Sequence, residues 1–180
     1  IAVSLLPTSS RALAFLVPFA MVGIFMRIFT DTNTAFLIMG STIFISSLAL
    51  VDPFEFIIVN FSSGVAAIYA LHDLQQRSQL FQTAVIATAV SVLTAMAFDF
   101  AQGMEIKSLD NMLYVYLFIN GIFLLFSYPL LYLVEKLFGF VSSVTLIELS
   151  NINNPLLRRL SKEAAGTFNH SMQVANLAAD

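Results

Sequence analysis

The sequence predicts an all-α fold: a polytopic membrane helix bundle followed by a cytoplasmic helical linker and one further helix. Three observations predict it. Hydrophobic residues make up 58% of the chain and charged residues only 11%, against ~45–50% and ~25% in soluble domains. The mean hydropathy is +0.86. The few charges also gather at the ends of long uncharged runs. A soluble globule of 19.8 kDa could not cover its surface with eight Lys and Arg and eleven Asp and Glu. The net charge of −3 argues against a partner made of DNA or RNA. The absence of cysteine excludes a disulfide framework, a thiolate metal site and a Cys nucleophile. The chain opens on Ile1 without a signal-peptide layout and stops within an apparent helix, so it reads as a fragment cut from a longer protein.

Five passes follow from the runs. Residues 12–26 carry no charge and Arg27 can snorkel, which places the first pass at about 11–30. Residues 32–51 form an uncharged stretch long enough for a bilayer core of ~30 Å. Asp52-Pro53 then breaks the chain, because proline pushes its predecessor out of the helical region and suits the first turn of the next helix. The third pass covers about 54–72, the fourth 78–99 and the fifth 111–135, closed by Glu135-Lys136. None of these runs alternates with period two, and all exceed strand length. Pro18 and Pro129 are expected to kink their helices. Residues 1–6, followed by Pro7-Thr8-Ser9-Ser10, read as the last turns of a further helix.

Lys and Arg set the orientation. With the C-terminal tail cytoplasmic, the inner side holds Arg27, Arg77, Lys136, Arg158, Arg159 and Lys162, and the outer side only Arg11 and Lys107. The positive-inside rule favours this arrangement. Asp99, Glu105 and Asp110 are then expected in an outer loop. No internal repeat points to an inverted-repeat transporter.

Several polar residues compete for a functional role. Asp52 and Glu55 flank a turn near the outer interface and read as solvated, a ligand or ion site being the other reading. Asn60, Ser62, Ser63 and Gly64 are residues that favour helix–helix packing in lipid. The adjacent His72-Asp73 offers too few ligands for a tight metal site and reads as an interfacial cap. In the tail, Asn154 caps a helix whose first turn holds Pro155. Ile152, Leu156, Leu157, Leu160 and Ala164 fall near one face, with Arg158, Arg159, Lys162 and Glu163 elsewhere. Gly166 is expected to end that helix and Thr167 to cap another, on which His170, Val174 and Leu177 share a face. Taken alone, His170 reads as an ordinary histidine.

The segments Glu135–Gly139, Leu146–Ser150, Asn154–Leu160, Ala164–Ser171 and Val174–Ala178 together resemble one bacterial junction. It is that of the seven-transmembrane receptors carrying an intracellular HD phosphohydrolase domain. The chain departs at Ala165, where the family usually has proline. The resemblance implies a membrane bundle over residues 1–138, a cytoplasmic linker over 139–165 and the start of an HD domain over 166–180. It further implies an inner-membrane sensor that couples an extracellular stimulus to hydrolysis of cyclic di-AMP. It makes His170 the first metal ligand, with the other ligands beyond Asp180 and no complete catalytic site in this chain. The implied cofactors are divalent metal ions, two of the iron or manganese type, which lower the pKa of a bridging water and neutralise charge on the phosphate. The implied partners are the lipid bilayer and a cyclic dinucleotide, with homo-oligomerisation left open. A transporter or channel subunit with a helical tail is the alternative, but such a protein should show broken helices and charges near the bilayer midplane, and here the charges sit at run ends.

Overall fold

A computed structural model describes residues 13–50, 53–71, 78–103, 111–139, 145–146, 151 and 153–179. Every regular element among them is helical. The first pass is not one helix. A 3-10 turn, Leu13–Leu16, is separated from helix α1, Phe19–Phe29, by Val17 and Pro18. Proline has no N–H to give to the carbonyl four residues back, so the ladder stops there. Thr30 closes α1 by donating its hydroxyl and its amide to the Met26 carbonyl.

Helix α2, Thr32–Ser47, begins at Asp31. The Asp31 carboxylate accepts from the Thr34 hydroxyl at 2.5 Å and from the Thr34 amide at 3.1 Å. These bonds, the hydroxyl's first, hold the Asp31 carboxyl below its ordinary value of 3.8. A group whose pKa falls on folding contributes stability that is complete above the ordinary carboxylate range and disappears as pH drops through the depressed value. Asparagine caps equally well without titrating. Melting curves of wild type and Asp31→Asn should therefore run parallel at neutral pH and diverge below about pH 4, with the wild type losing more. An identical acid loss in both would remove the cap from the account.

Helix α2 stops at Ser47, four residues before the expected end of the second pass, and Leu48, Ala49 and Leu50 wind down through i→i−3 bonds. Helix α3, Pro53–Ala70, starts on the proline as expected. Helix α4, Gln79–Ala101, runs two residues past the predicted 99. The fifth pass is a pair, α5 at Asn111–Leu125 and α6 at Ser127–Phe138, bent by 41° at Phe126. Pro129 explains the bend, since it cannot donate to the Leu125 carbonyl. Gly139 then ends α6 with φ 67°. That left-handed conformation suits a residue without Cβ.

By length and apolarity α3 and α4 each qualify as a span, and the bent α5–α6 pair makes a third. Helices α1 and α2, at 11 and 16 residues, are shorter than a bilayer crossing requires. The expectation of five full-length passes thus has support for two or three. The break at Pro18 and the early stop at Ser47 are what shorten the first two.

Helix α4 runs antiparallel to α3 and to the α5–α6 pair. The start of α3 meets the end of α4 through Phe54 and Phe98, whose rings lie 5.9 Å apart. At the opposite end Phe81 of α4 stacks on Tyr128 of α6 at 5.1 Å. Two apolar clusters hold the bundle. Ile24, Ile28, Leu71, Leu80, Leu124 and Leu131 belong to the first. Phe15, Met39, Phe56, Val59, Leu113 and Leu117 belong to the second. Around Met39 the helices approach closely. Met39 lies against Gly23 of α1 and Gly64 of α3, and a Cβ at Gly64 would come within 2.1 Å of its sulfur. The outer faces are apolar too, with Leu37, Val85, Leu93 and Phe118 all more than 60% exposed. A helix hydrophobic all round fits a lipid environment rather than water.

Candidate functional site

The tail helices carry the residue the sequence singles out. Helix α7, Pro155–Glu163, is capped by Asn154, whose side chain accepts from the Leu156 amide at 3.1 Å. Arg159 donates to Glu163 at 2.8 Å one turn on. Helix α8, Ala165–Ala179, follows at once. Gly166 and Thr167 do not separate the two helices. Ala164 does: it closes α7 by donating to the Leu160 carbonyl, and its own carbonyl accepts from Phe168 to open α8. Ala165 is consequently the first helical residue of α8, the position that tolerates proline best. The alanine found there loses a preset φ but no hydrogen bond.

His170 stands exposed on α8, with Val174 and Leu177 exposed along the same face. Among the described residues no three His, Cys, Asp or Glu side chains come together to hold a metal. One imidazole leaves most of the coordination sphere to water. Among the described tail residues, His170 could offer a metal at most one ligand. His72, Asp73 and Asp52 lie outside the described residues, as do Glu105, Lys107 and Asp110.

Inside the bundle most buried polar side chains are tied to neighbouring helices or to their own backbone, Ser127 excepted. Ser63 of α3 donates across to the Ala87 carbonyl of α4 at 2.9 Å, and Asn60 donates to the Phe56 carbonyl at 3.0 Å. Both are buried, as the packing reading of this stretch expects. Asp99 departs from its expected place. Because α4 continues to Ala101, Asp99 is buried within the helix instead of lying in an outer loop, and it accepts from the Tyr114 hydroxyl at 2.6 Å. This bond joins the end of α4 to the start of α5. An open groove of about 530 Å³ runs between the same two helices, floored by Thr88 and Gly121. The Thr88 hydroxyl is turned back to the Ala84 carbonyl at 2.7 Å, and the rest of the lining is apolar. Nothing in that groove could position a polar substrate.

The sequence reading missed Asn120. From the middle of α5 its amide nitrogen donates to the Phe15 carbonyl at 2.8 Å and to the Val17 carbonyl at 3.0 Å. A signal for it existed. A proline inside an apolar run frees carbonyls that lipid cannot satisfy, and a lone amide inside another such run is a natural donor.

The membrane bundle and the tail can now be set beside known proteins. The family described as "7TM receptor with intracellular HD hydrolase" matches residues 1–142. A protein of Bacillus subtilis, named cyclic-di-AMP phosphodiesterase PgpH, is 29% identical over 176 residues, which cover 92% of this chain and 24% of that protein. The protein of the same name from Listeria monocytogenes is 31% identical over 174 residues, with the same two shares. An uncharacterized protein of Synechocystis is 59% identical over 44 residues, 24% of this chain and 5% of that one. The chain thus spans about a quarter of the length of the two phosphodiesterases it matches. No solved structure matches it.

Proposed function

Since this chain belongs to the seven-transmembrane receptors with an intracellular HD hydrolase, we propose that it is the membrane part of a sensor whose full-length form hydrolyses cyclic di-AMP in the cytoplasm. The observation that carries the reading is the match to two proteins named as cyclic-di-AMP phosphodiesterases along 92% of this chain. In this reading residues 1–138 are the membrane bundle, 139–165 the linker and 166–180 the opening of the hydrolase domain. His170 is its first metal ligand, and residues beyond Asp180 supply the others. Two divalent metals of the iron or manganese type would activate water and neutralise charge on the phosphate. The linker passes movement of the bundle to the enzyme. It is anchored at its start, where the Thr145 hydroxyl donates to Glu135 near the end of α6 at 2.7 Å. The break at Pro18 is a feature a transporter would share, but its freed carbonyls are taken up by Asn120 rather than turned to a cavity.

The test of the whole is catalytic. Purified full-length protein in lipid nanodiscs, supplied with manganese, should hydrolyse cyclic di-AMP, and the 180-residue chain alone should not. Turnover by neither would remove the phosphodiesterase reading. Topology is tested separately on these 180 residues, whose lack of cysteine keeps the background clean. Cysteines introduced at Ser78 and Ser161 should be shielded from an impermeant thiol reagent in intact cells, and one at Ser108 should be labelled. Labelling at Ser161 would place the tail outside and the enzyme reading with it.

A further inference from the structure

The first pass has two partners. Beyond Pro18, α1 packs on α2 and α3, whereas the turn Leu13–Leu16 before it packs chiefly on α5. In a continuous helix the Phe19 amide would go to the Phe15 carbonyl. Here it goes to Val17 instead, at 2.9 Å, and Phe15 is left to another donor. Asn120 is that donor, and with the bond to Val17 its amide nitrogen holds two carbonyls on the N-terminal side of Pro18. The pass that supplies Asn120 is itself discontinuous. Seven residues further on, at the bend, Ser127 is 1% exposed and its hydroxyl has no hydrogen-bond partner among the described residues. A buried donor left unmatched next to a bend marks an arrangement that is not the best one for every group in it.

We infer that Asn120 is a latch. It locks the outer turn of the first pass onto the fifth, and the locked bundle is one of two arrangements the protein adopts. With the latch closed, a displacement of Leu13–Leu16 is carried by α5 to the bend at Phe126 and out along α6. With it open, α1 stays on α2 and α3 while the turn moves alone. Single polar contacts between membrane helices are individually weak, so such a clamp biases a movement without forbidding it. As a step in signalling, the latch rests on the sensor reading above; as a mechanical element it stands or falls by itself.

Distances between spin labels decide it. Cysteines are placed at Leu13 and Leu137, both well exposed, in full-length protein in nanodiscs, with any cysteine outside these 180 cysteine-free residues replaced by serine. A second pair at Tyr69 and Leu93, on α3 and α4, serves as a control for global loosening. Asn120→Leu, which keeps the bulk but not the donor, should broaden the 13–137 distribution about twofold or split it into two peaks. The 69–93 distribution should not change. Asn120→Ser, whose hydroxyl is too short to span both carbonyls, should behave likewise. The inference is overturned if the 13–137 distribution is unaltered in both variants, or if both pairs broaden together. It is equally overturned if neither variant yields a folded bundle, since Asn120 would then be a structural bond and not a latch. None of these readouts depends on phosphodiesterase activity, so a failed sensor reading and a failed latch are told apart.

Discussion

In the full-length protein, His170→Ala should lower hydrolysis of cyclic di-AMP by roughly 100-fold or more, because losing even an outer partner of a metal ligand costs ~10–100-fold. Membrane insertion should be unaffected, since His170 is exposed on a helix that follows the bundle and contributes nothing to its core. His72→Ala should leave metal content and turnover nearly unchanged, as expected of a residue at the membrane interface. Metal analysis and turnover of the two variants separate the assignments cleanly. If His72→Ala abolishes hydrolysis and His170→Ala does not, the role given to His170 is wrong.

The second large effect belongs to the packing of α1, α2 and α3. Gly64→Val should destabilise the bundle by about 2–3 kcal/mol, the upper range for an overpacked core. The new side chain would meet the Met39 sulfur, and little room is left for it near Gly23, whose backbone is close enough that a Cβ there would lie 2.9 Å from the same atom. Met39 is fully buried, so no escape to lipid is open to it either. Combining Gly64→Val with Met39→Ala should recover part of the loss. The two changes act on one space, and neighbouring substitutions of this kind do not add. Thermal melting in detergent of the single and double variants measures the coupling. Strict additivity would mean that Met39 and Gly64 do not share the space described.

Much of this architecture is written in the chain, and the parts that are not share a cause. Runs of apolar residues bounded by charge located α3 and α4, Pro53 marked the start of a helix, Pro129 the bend, and Asn154-Pro155 the start of α7. These are signals a residue carries within one or two turns. The break at Pro18 was expected as a kink, but what holds it in place was not, because Asn120 is more than a hundred positions away. Asp99 was assigned to a loop since hydropathy treats any carboxylate as a run's end. Its burial depends on Tyr114, which lies across that loop. Gly166 looked like a helix terminator, yet Ala164 served both helices through backbone bonds alone. His170 differs from all of these. Its spacing with Val174 and Leu177 marks only a helical face, and the role proposed for it rests on the family resemblance of the tail rather than on any contact it makes here.

The bend at Phe126 bears on how the protein fits its membrane. Helices α5 and α6 hold 15 and 12 residues, and at ~1.5 Å per residue their combined length is roughly 40 Å. The hydrocarbon layer they cross is only ~30 Å thick. A straight rod of that length would have to tilt as a whole and drag its neighbours with it, whereas a jointed one takes up the surplus at the joint. A thicker membrane would then favour opening the angle and a thinner one closing it, each at a cost of fractions of a kcal/mol per ångström. The angle of this one span thereby makes the bundle responsive to bilayer thickness.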